Sequence, residues 1–387
     1  MQPISTMTNT SLSEKSLNNG TSDIEKEDLG DEISLEPYDP SKISIDHQNV
    51  NLGSIIENLQ HNEIRLDPEF QRLGDLWSDS KKSQLIESIL LGLPLPSFYF
   101  SEEDSGRWEV VDGLQRLSTF KSFIVDKTLS LHGLEFLKEY EEKKYDDLSR
   151  EDKRKISGFK VNLYLIKKQT PKNVKFLIFK KVNTGGIILT PQEMRHALNQ
   201  GTPAILIKEL AESDEFKKAT DNKVPSKRQE DRDFVNRFVA FYILGYTDKY
   251  GGNLDEFMNT GMGEISKLRE NELNSLRENF KAAMTLSHKV FYRDAFRKKL
   301  TPKDNRKPIS KALYDSISVN FAWLSSEERK KLLFKREEFK KNLMLLYADN
   351  EETFLKSIST GTASTTSVKN RFEKIKSIII KTLASDN

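Results

Sequence analysis

Between Ile43 and about residue 200, the apolar positions alternate between two periods. Ile55, Ile56 and Leu59 recur at helical spacing, and Glu63-Ile64-Arg65-Leu66-Asp67 alternates as a short strand that Pro68 ends. From Ser80 to Leu91, Leu85, Ile86, Ile89 and Leu90 fall on one stripe of a helix, which Gly92, Pro94 and Pro96 stop. Ser97 to Phe100 and Trp108 to Val111 predict two paired strands around a polar turn at Glu102 to Gly106. Gly113 breaks the second strand, and Leu117, Phe120, Phe123 and Ile124 give the next helix its apolar face. A charged helical stretch from Glu135 to Lys155 leads to a strand from Phe159 to Ile166. A helix beginning near Pro171 ends at Asn183-Thr184-Gly185-Gly186, and Thr190-Pro191-Gln192-Glu193 opens another with a capping box.

Beyond residue 200 the strand pattern fades. Asp233 to Gly245, Asn271 to Arg293, Pro308 to Trp323, Ser326 to Tyr347 and Val368 to Leu383 all read as helices. The first 42 residues are mostly Ser, Thr, Asn, Gly and acidic side chains, too poor in apolar surface to offset chain entropy. The expected organisation is a disordered acidic tail (1–42), an α+β domain (43–200) and an all-helical domain (201–387).

Composition narrows the chemistry. The 387 residues include no cysteine, which removes disulfides, thiolate metal sites and cysteine nucleophiles and fits a reducing cytoplasm. The five histidines are scattered without ligand spacing. No apolar run reaches the roughly 18 residues of a membrane span, and no signal peptide is visible, so a cytoplasmic protein without a membrane partner is expected. Net charge is +2, but the acidic stretch from Asp23 to Asp39 leaves the remainder distinctly basic. The charged run Arg228, Asp231, Asp233 and Arg237 reads as a solvated face opposite Phe234, Phe238 and Phe241. The C-terminal helix, with Lys369, Arg371 and Lys374, likewise reads mainly as solvated.

Three short stretches combine permissive turns with Gln, Arg, Asp and Asn. In Asp67-Pro68-Glu69-Phe70-Gln71-Arg72, Phe70 anchors while Gln71 and Arg72 point outward; alone, it reads as an ordinary surface loop. Asp112-Gly113-Leu114-Gln115-Arg116 sits where a strand ends and a helix begins. Free N–H groups and the helix dipole there suit phosphate, and Gly113 allows close approach. Arg116 in the first helical turn opposes the dipole unless an anion is present. Asp112 reads equally as a ligand for Mg²⁺ on the phosphates or as a plain N-cap. In the third stretch, Asn183, Gly185 and Gly186 suit an N–H nest, Glu193 reads as capping acid, catalytic base or metal ligand, and Arg195 lies within reach of phosphate, of Glu193 or of Glu69.

These stretches, with Trp77, the run Ile86 to Pro96 and Leu117-Ser118-Thr119, resemble the ParB-like domain at the N-terminus of GmrSD-type modification-dependent restriction enzymes. The likeness covers about residues 45 to 245. It implies a ParB/sulfiredoxin-like small mixed sheet with helices, whose Asp-Gly-Gln-Gln-Arg motif supports nucleotide binding and hydrolysis. The motif carries over to Asp112, Gly113, Gln115 and Arg116, while Leu114 replaces its first glutamine. The sulfiredoxin reaction is excluded for want of cysteine, and no His-Asn-His nuclease signature is found.

The expected function is therefore binding of a nucleoside triphosphate with Mg²⁺, with or without its hydrolysis. Gln71, Arg72, Gly113, Arg116, Asn183, Thr184, Gly185 and Arg195 are assigned to the nucleotide, and Asp112, Gln115 and Glu193 to catalysis, with Asp112 also on the metal. Nucleotide state would gate contact with DNA or with a separate nuclease or effector subunit, in defence against foreign DNA. A DNA-binding or adaptor module without nucleotide chemistry is the alternative.

Overall fold

The structure, a computed structural model, describes residues 23–30, 43–66, 77–103, 105–182, 189–299, 301, 303–348 and 353–385. Five strands form one mixed sheet: β1 (Ile45–Asn51), β2 (Ile64–Arg65), β3 (Phe98–Glu102), β4 (Trp108–Asp112) and β5 (Lys160–Ile166). Their order is β1-β5-β3-β4-β2. β5 runs antiparallel to β1 and parallel to β3, while β4 runs antiparallel to β3 and parallel to β2. Periodicity does not announce β1. Its sequence IDHQNVN alternates only between exposed and half-buried positions, and it gains its place at the sheet edge from β5.

Helices α1 (Leu52–Gln60), α2 (Asp79–Leu90), α3 (Leu114–Phe120, continued by a π turn at Lys121–Val125), α4 (Arg150–Gly158), α5 (Lys172–Val182) and α6 (Pro191–Leu198) accompany the sheet. Neighbouring strand residues divide between two apolar clusters, as the pleat requires. Phe98, Phe100 and Val110 pack with Leu52, Ile86 and Leu117; Tyr99 and Val111 pack with Phe176, Phe179 and Met194. The α+β class expected from the sequence is thus what the structure has.

The charged segment from Glu135 to Lys155 corrects the expectation of one helix. It holds two 3-10 turns (Lys138–Tyr140 and Tyr145–Asp147) and becomes helical only at Arg150. The cause is Glu87 on α2, whose buried carboxylate accepts from the N–H groups of Glu135 at 3.0 Å, Phe136 at 2.7 Å and Leu137 at 2.7 Å. Burial opposes ionisation of Glu87, but those donors prevail and hold its carboxyl below the usual range.

The rest is helical: α7 (Thr202–Glu212), α8 (Asp214–Ala219), α9 (Glu230–Leu244), α10 (Leu254–Ile265), α11 (Glu270–Phe291), α12 (Lys311–Ala322), α13 (Ser326–Phe334), α14 (Arg336–Tyr347), α15 (Thr353–Ser357) and α16 (Thr365–Ala384). Aromatic side chains make its centre, with Phe234 and Tyr314 rings 4.9 Å apart and Phe238 and Phe280 also 4.9 Å apart. Gly261 lets α10 approach α9 closely, since a Cβ there would stand 2.6 Å from Cα of Ala240. The single helix expected over Ser326 to Tyr347 is two, separated at Lys335, whose ammonium bonds the Ser385 carbonyl. Among the described residues no helix is long and apolar enough to cross a membrane.

Two further readings change. The run from Arg228 to Arg237 is not a solvated face: Arg237 is buried, donating to Asp315 from Nε at 2.9 Å and from Nη2 at 2.6 Å. Arg371 on α16 is also buried and meets Asp315 at 3.2 Å. The cause is tertiary, because α12 and α16 bring their own polar groups against α9. Residues 23–30, inside the segment read as a disordered tail, are docked on the helical region. Ile24 pairs with Ile309, Glu25 N–H donates to the Ile309 carbonyl, and Asp28 accepts from the Thr362 N–H.

Candidate functional site

At the end of β4 the backbone leaves the sheet through Gly113, which has φ +106° and caps α3 without any side-chain bond. A side chain at Gly113 is excluded twice, by that conformation and by Phe98, whose Cδ1 would lie 2.5 Å from a Cβ. Asp112 is therefore not the helix cap, which removes the plain reading of this aspartate. Its carboxylate accepts instead from Arg116 Nη2 at 2.9 Å and from the Gly113 N–H. Burial raises the Asp112 pKa above the ordinary aspartate value, against the pull of Arg116.

Arg116 is almost wholly buried. Besides Asp112 it bonds the carbonyls of Pro96 and Ser97, and its guanidinium lies 4.3 Å from the Phe98 ring centre. The residue assigned from sequence to phosphate is thus tied into the turn as its clamp. Leu114, the departure from the family motif, packs with the cluster of Val111 and Met194 and seats the turn on α6. Gln115 stands on the same first turn of α3, half-buried.

The start of α6 carries the capping box expected from sequence. Thr190 N–H donates to Glu193 Oε2 at 2.7 Å, and Glu193 N–H donates to Thr190 Oγ1 at 3.2 Å. Capping does not exhaust Glu193. It is fully buried, Oε2 also meets Arg228 Nη2 at 3.1 Å, and Oε1 has no hydrogen-bond partner. Arg195 is 1% exposed and donates from Nη2 to Asp255 Oδ1 at 2.9 Å, while its Nε and Nη1 have no partner. Gln192 Nε2 and Asn236 Oδ1 are likewise buried without partners, so unsatisfied polar atoms concentrate around this helix.

Arg228 and Asp255 were not marked as site residues from the sequence. Both belong to the helical region and both hold residues of α6; Lys180 on α5 also approaches Asp255, at 3.6 Å. Arg228 reaches Glu193 from a strained pair, Arg228 and Gln229, both with left-handed φ near 60°. Consecutive left-handed residues without glycine have no sequence signature, which is why charge alone was read there. Gln71, Arg72, Asn183, Thr184 and Gly185 lie outside the described residues.

The structure thus joins Asp112, Gly113, Gln115 and Arg116 to α6 through one apolar cluster, and joins α6 to the helical region through ion pairs. Among the described residues no group of three potential metal-ligating side chains occurs. Comparison with curated proteins and with solved structures returns no match. Residues 52–200 match the family model described as GmrSD restriction endonuclease, N-terminal domain, a span that takes in the Asp112 turn and α6 and leaves out only β1 of the sheet. Over that span the chain is similar to the GmrSD N-terminal domain family.

Proposed function

We propose that this domain acts in a restriction system by binding a nucleoside triphosphate with Mg²⁺ at the Asp112–Arg116 turn. Nucleotide state then controls contact with DNA or with a separate nuclease or effector subunit. The observation that carries the reading is the Asp112 carboxylate, held by Arg116 on a glycine turn where strand passes to helix. Mg²⁺ on a nucleotide commonly takes one or two protein carboxylates, so a single aspartate there suffices. Arg116 serves by fixing Asp112 rather than by reaching out. Gln115 orients a water if hydrolysis occurs; Gln71, Arg72, Asn183, Thr184, Gly185 and Arg195 hold the nucleotide, with Glu193 beside it. Arg228 and Asp255 supply the route to the helical region, because each pairs with a residue of α6.

Calorimetric titration with ATP, GTP, CTP and UTP in Mg²⁺ tests the reading. One of them should bind to the wild type and bind at least tenfold more weakly to Asp112→Asn. Equal affinity in both proteins sinks the site.

A second reading has its own support. Leu114 is spent on the apolar cluster and Arg116 on internal partners, as suits a DNA-binding or adaptor module without nucleotide chemistry. It predicts salt-dependent DNA binding that no nucleotide alters.

A further inference from the structure

Far along the chain from the Asp112 turn, the helical region carries a half-open cavity of about 400 Å³. Its walls come from the end of α11, the stretch 294–299 and α14. Phe291, Leu343, Met344 and Tyr347 supply apolar surface; Arg297, Lys299, Lys340 and Lys341 oppose Asp294 and Glu337, four cations to two anions. Two of the cations are already paired, Lys299 with Asp294 at 2.6 Å and Lys340 with Glu337 at 2.7 Å. That leaves Arg297 and the exposed Lys341.

Arg297 is the anomaly. It is 6% exposed and gives Nη1 to the Lys307 carbonyl, while Nε and Nη2 are buried with no hydrogen-bond partner. No carboxylate lies within ion-pair distance of it among the described residues. Burial, and then the neighbouring charge of Arg306, push its pKa below the usual arginine value. A buried guanidinium with two unbonded nitrogens is costly even with Asp23, Asp221 and Asp294 in its surroundings, yet the backbone holds it in place: Arg297 bridges to Ile309, and Ser310 N–H donates to the Phe296 carbonyl at 2.8 Å. An incoming anion would remove the imbalance.

We propose that this cavity is a nucleotide site, with the phosphate on Arg297 and Lys341 and the base against the apolar wall. The size falls within the range of small-molecule pockets, and an inorganic anion alone would leave the aromatic wall unused. Lys303 and Lys307 in the adjoining stretch add a field that draws phosphate, whereas Lys298 and Arg306 are paired with Glu25 and Asp221. Beside Phe291, Tyr292 is 65% exposed in a left-handed conformation, φ +54°, and presents a ring on which a further base can stack. The nucleotide is either free or part of a single strand. The site does not depend on the reading of Asp112.

Hydrogen–deuterium exchange of the full chain separates the two sites by position. Adenosine monophosphate, a ten-nucleotide single strand and inorganic phosphate are added in turn. Slower exchange in 291–299 and 337–347 with the monophosphate identifies a free-nucleotide site; slower exchange with the oligonucleotide alone identifies a strand site. In either case Lys341→Glu and Met344→Trp, the latter filling the cavity, should weaken the effect at least tenfold in ligand concentration. Unchanged exchange in those segments with both ligands overturns the proposal. So does an equal effect of inorganic phosphate, or protection that survives in both variants. Changes in 108–120 report on the Asp112 turn alone.

Discussion

Glu27 meets Arg237 end-on: its two carboxylate oxygens each lie 2.9 Å from a terminal nitrogen of the guanidinium, and Asp315 takes the Nε edge side-on. A residue from the acidic N-terminal stretch thereby completes the coordination of a buried arginine on α9. Fork-to-fork pairing of this kind is strong and directional. The carboxylate that replaces water around Arg237 comes from 210 residues away in sequence, so residues 23–30 act as a strap on the helical region.

Removal of that carboxylate should therefore weaken the fold. Glu27→Ala leaves Arg237 buried with Asp315 as its remaining partner, and a loss on the order of 3 kcal/mol is expected. Glu25→Ala, which removes the more exposed pair with Lys298 at 2.6 Å, should cost less than about 1 kcal/mol. Urea unfolding of the two variants measures both, and equal midpoints would mean that the strap carries no stability.

Gly113 is constrained by φ and by space at once. Gly113→Ala should cost about 1 kcal/mol or more for the conformation and about 1–3 kcal/mol more for displacing the Phe98 ring. The Asp112–Arg116 pair moves with it. Thermal unfolding gives the magnitude, and an alanine variant as stable as the wild type would contradict the geometry of the turn.

Asp255 neutralises Arg195 across the junction of α6 and α10. Asp255→Ala strands a buried guanidinium that already has two unsatisfied donors, so a loss of roughly 2–4 kcal/mol is expected. Arg195→Met together with Asp255→Ala should recover part of it, because the charge goes with its partner. A double-mutant cycle in denaturant decides; additive losses would show that the pair is not coupled.

Much of the fold was legible because local pattern and tertiary outcome agree. The stripe on α2, the aromatic strands β3 and β4, and the Thr190–Glu193 capping box need only neighbours in sequence. What escaped reading depends on distant partners. β1 is polar on both faces and is a strand only because β5 offers it an edge. The segment around Glu135 gives its donors to Glu87, 48 residues earlier. The charged face of α9 is buried because Asp315, Arg371 and Glu27 converge on it. The site divides the same way. The glycine turn at Asp112 and the cap at Glu193 were visible, whereas the grip of Arg228 and Asp255 on α6 exists only once the chain has folded.

The charge network of α9 also predicts a response to acid. Burial by itself would raise the pKa of Asp233, but Lys311 at 2.9 Å, with Arg195 and Arg237 nearby, outweighs it and holds the carboxyl at about 2. In the unfolded chain the same group titrates near 3.8. With the folded value below the unfolded one, the folded state binds fewer protons across that window, and stability falls as pH falls. The contribution is complete above about pH 4 and lost as pH drops through 2, amounting to about 2 kcal/mol. Asp233→Asn removes the titrating group, so the variant should show a flatter stability profile than the wild type between pH 4 and pH 2. It should also be less stable at neutral pH, where Lys311 loses one of its two ion pairs among the described residues and keeps Glu230 at 2.7 Å. Chemical unfolding at half-unit pH intervals tests this. Parallel profiles for the two proteins would show that Asp233 titrates normally in the fold.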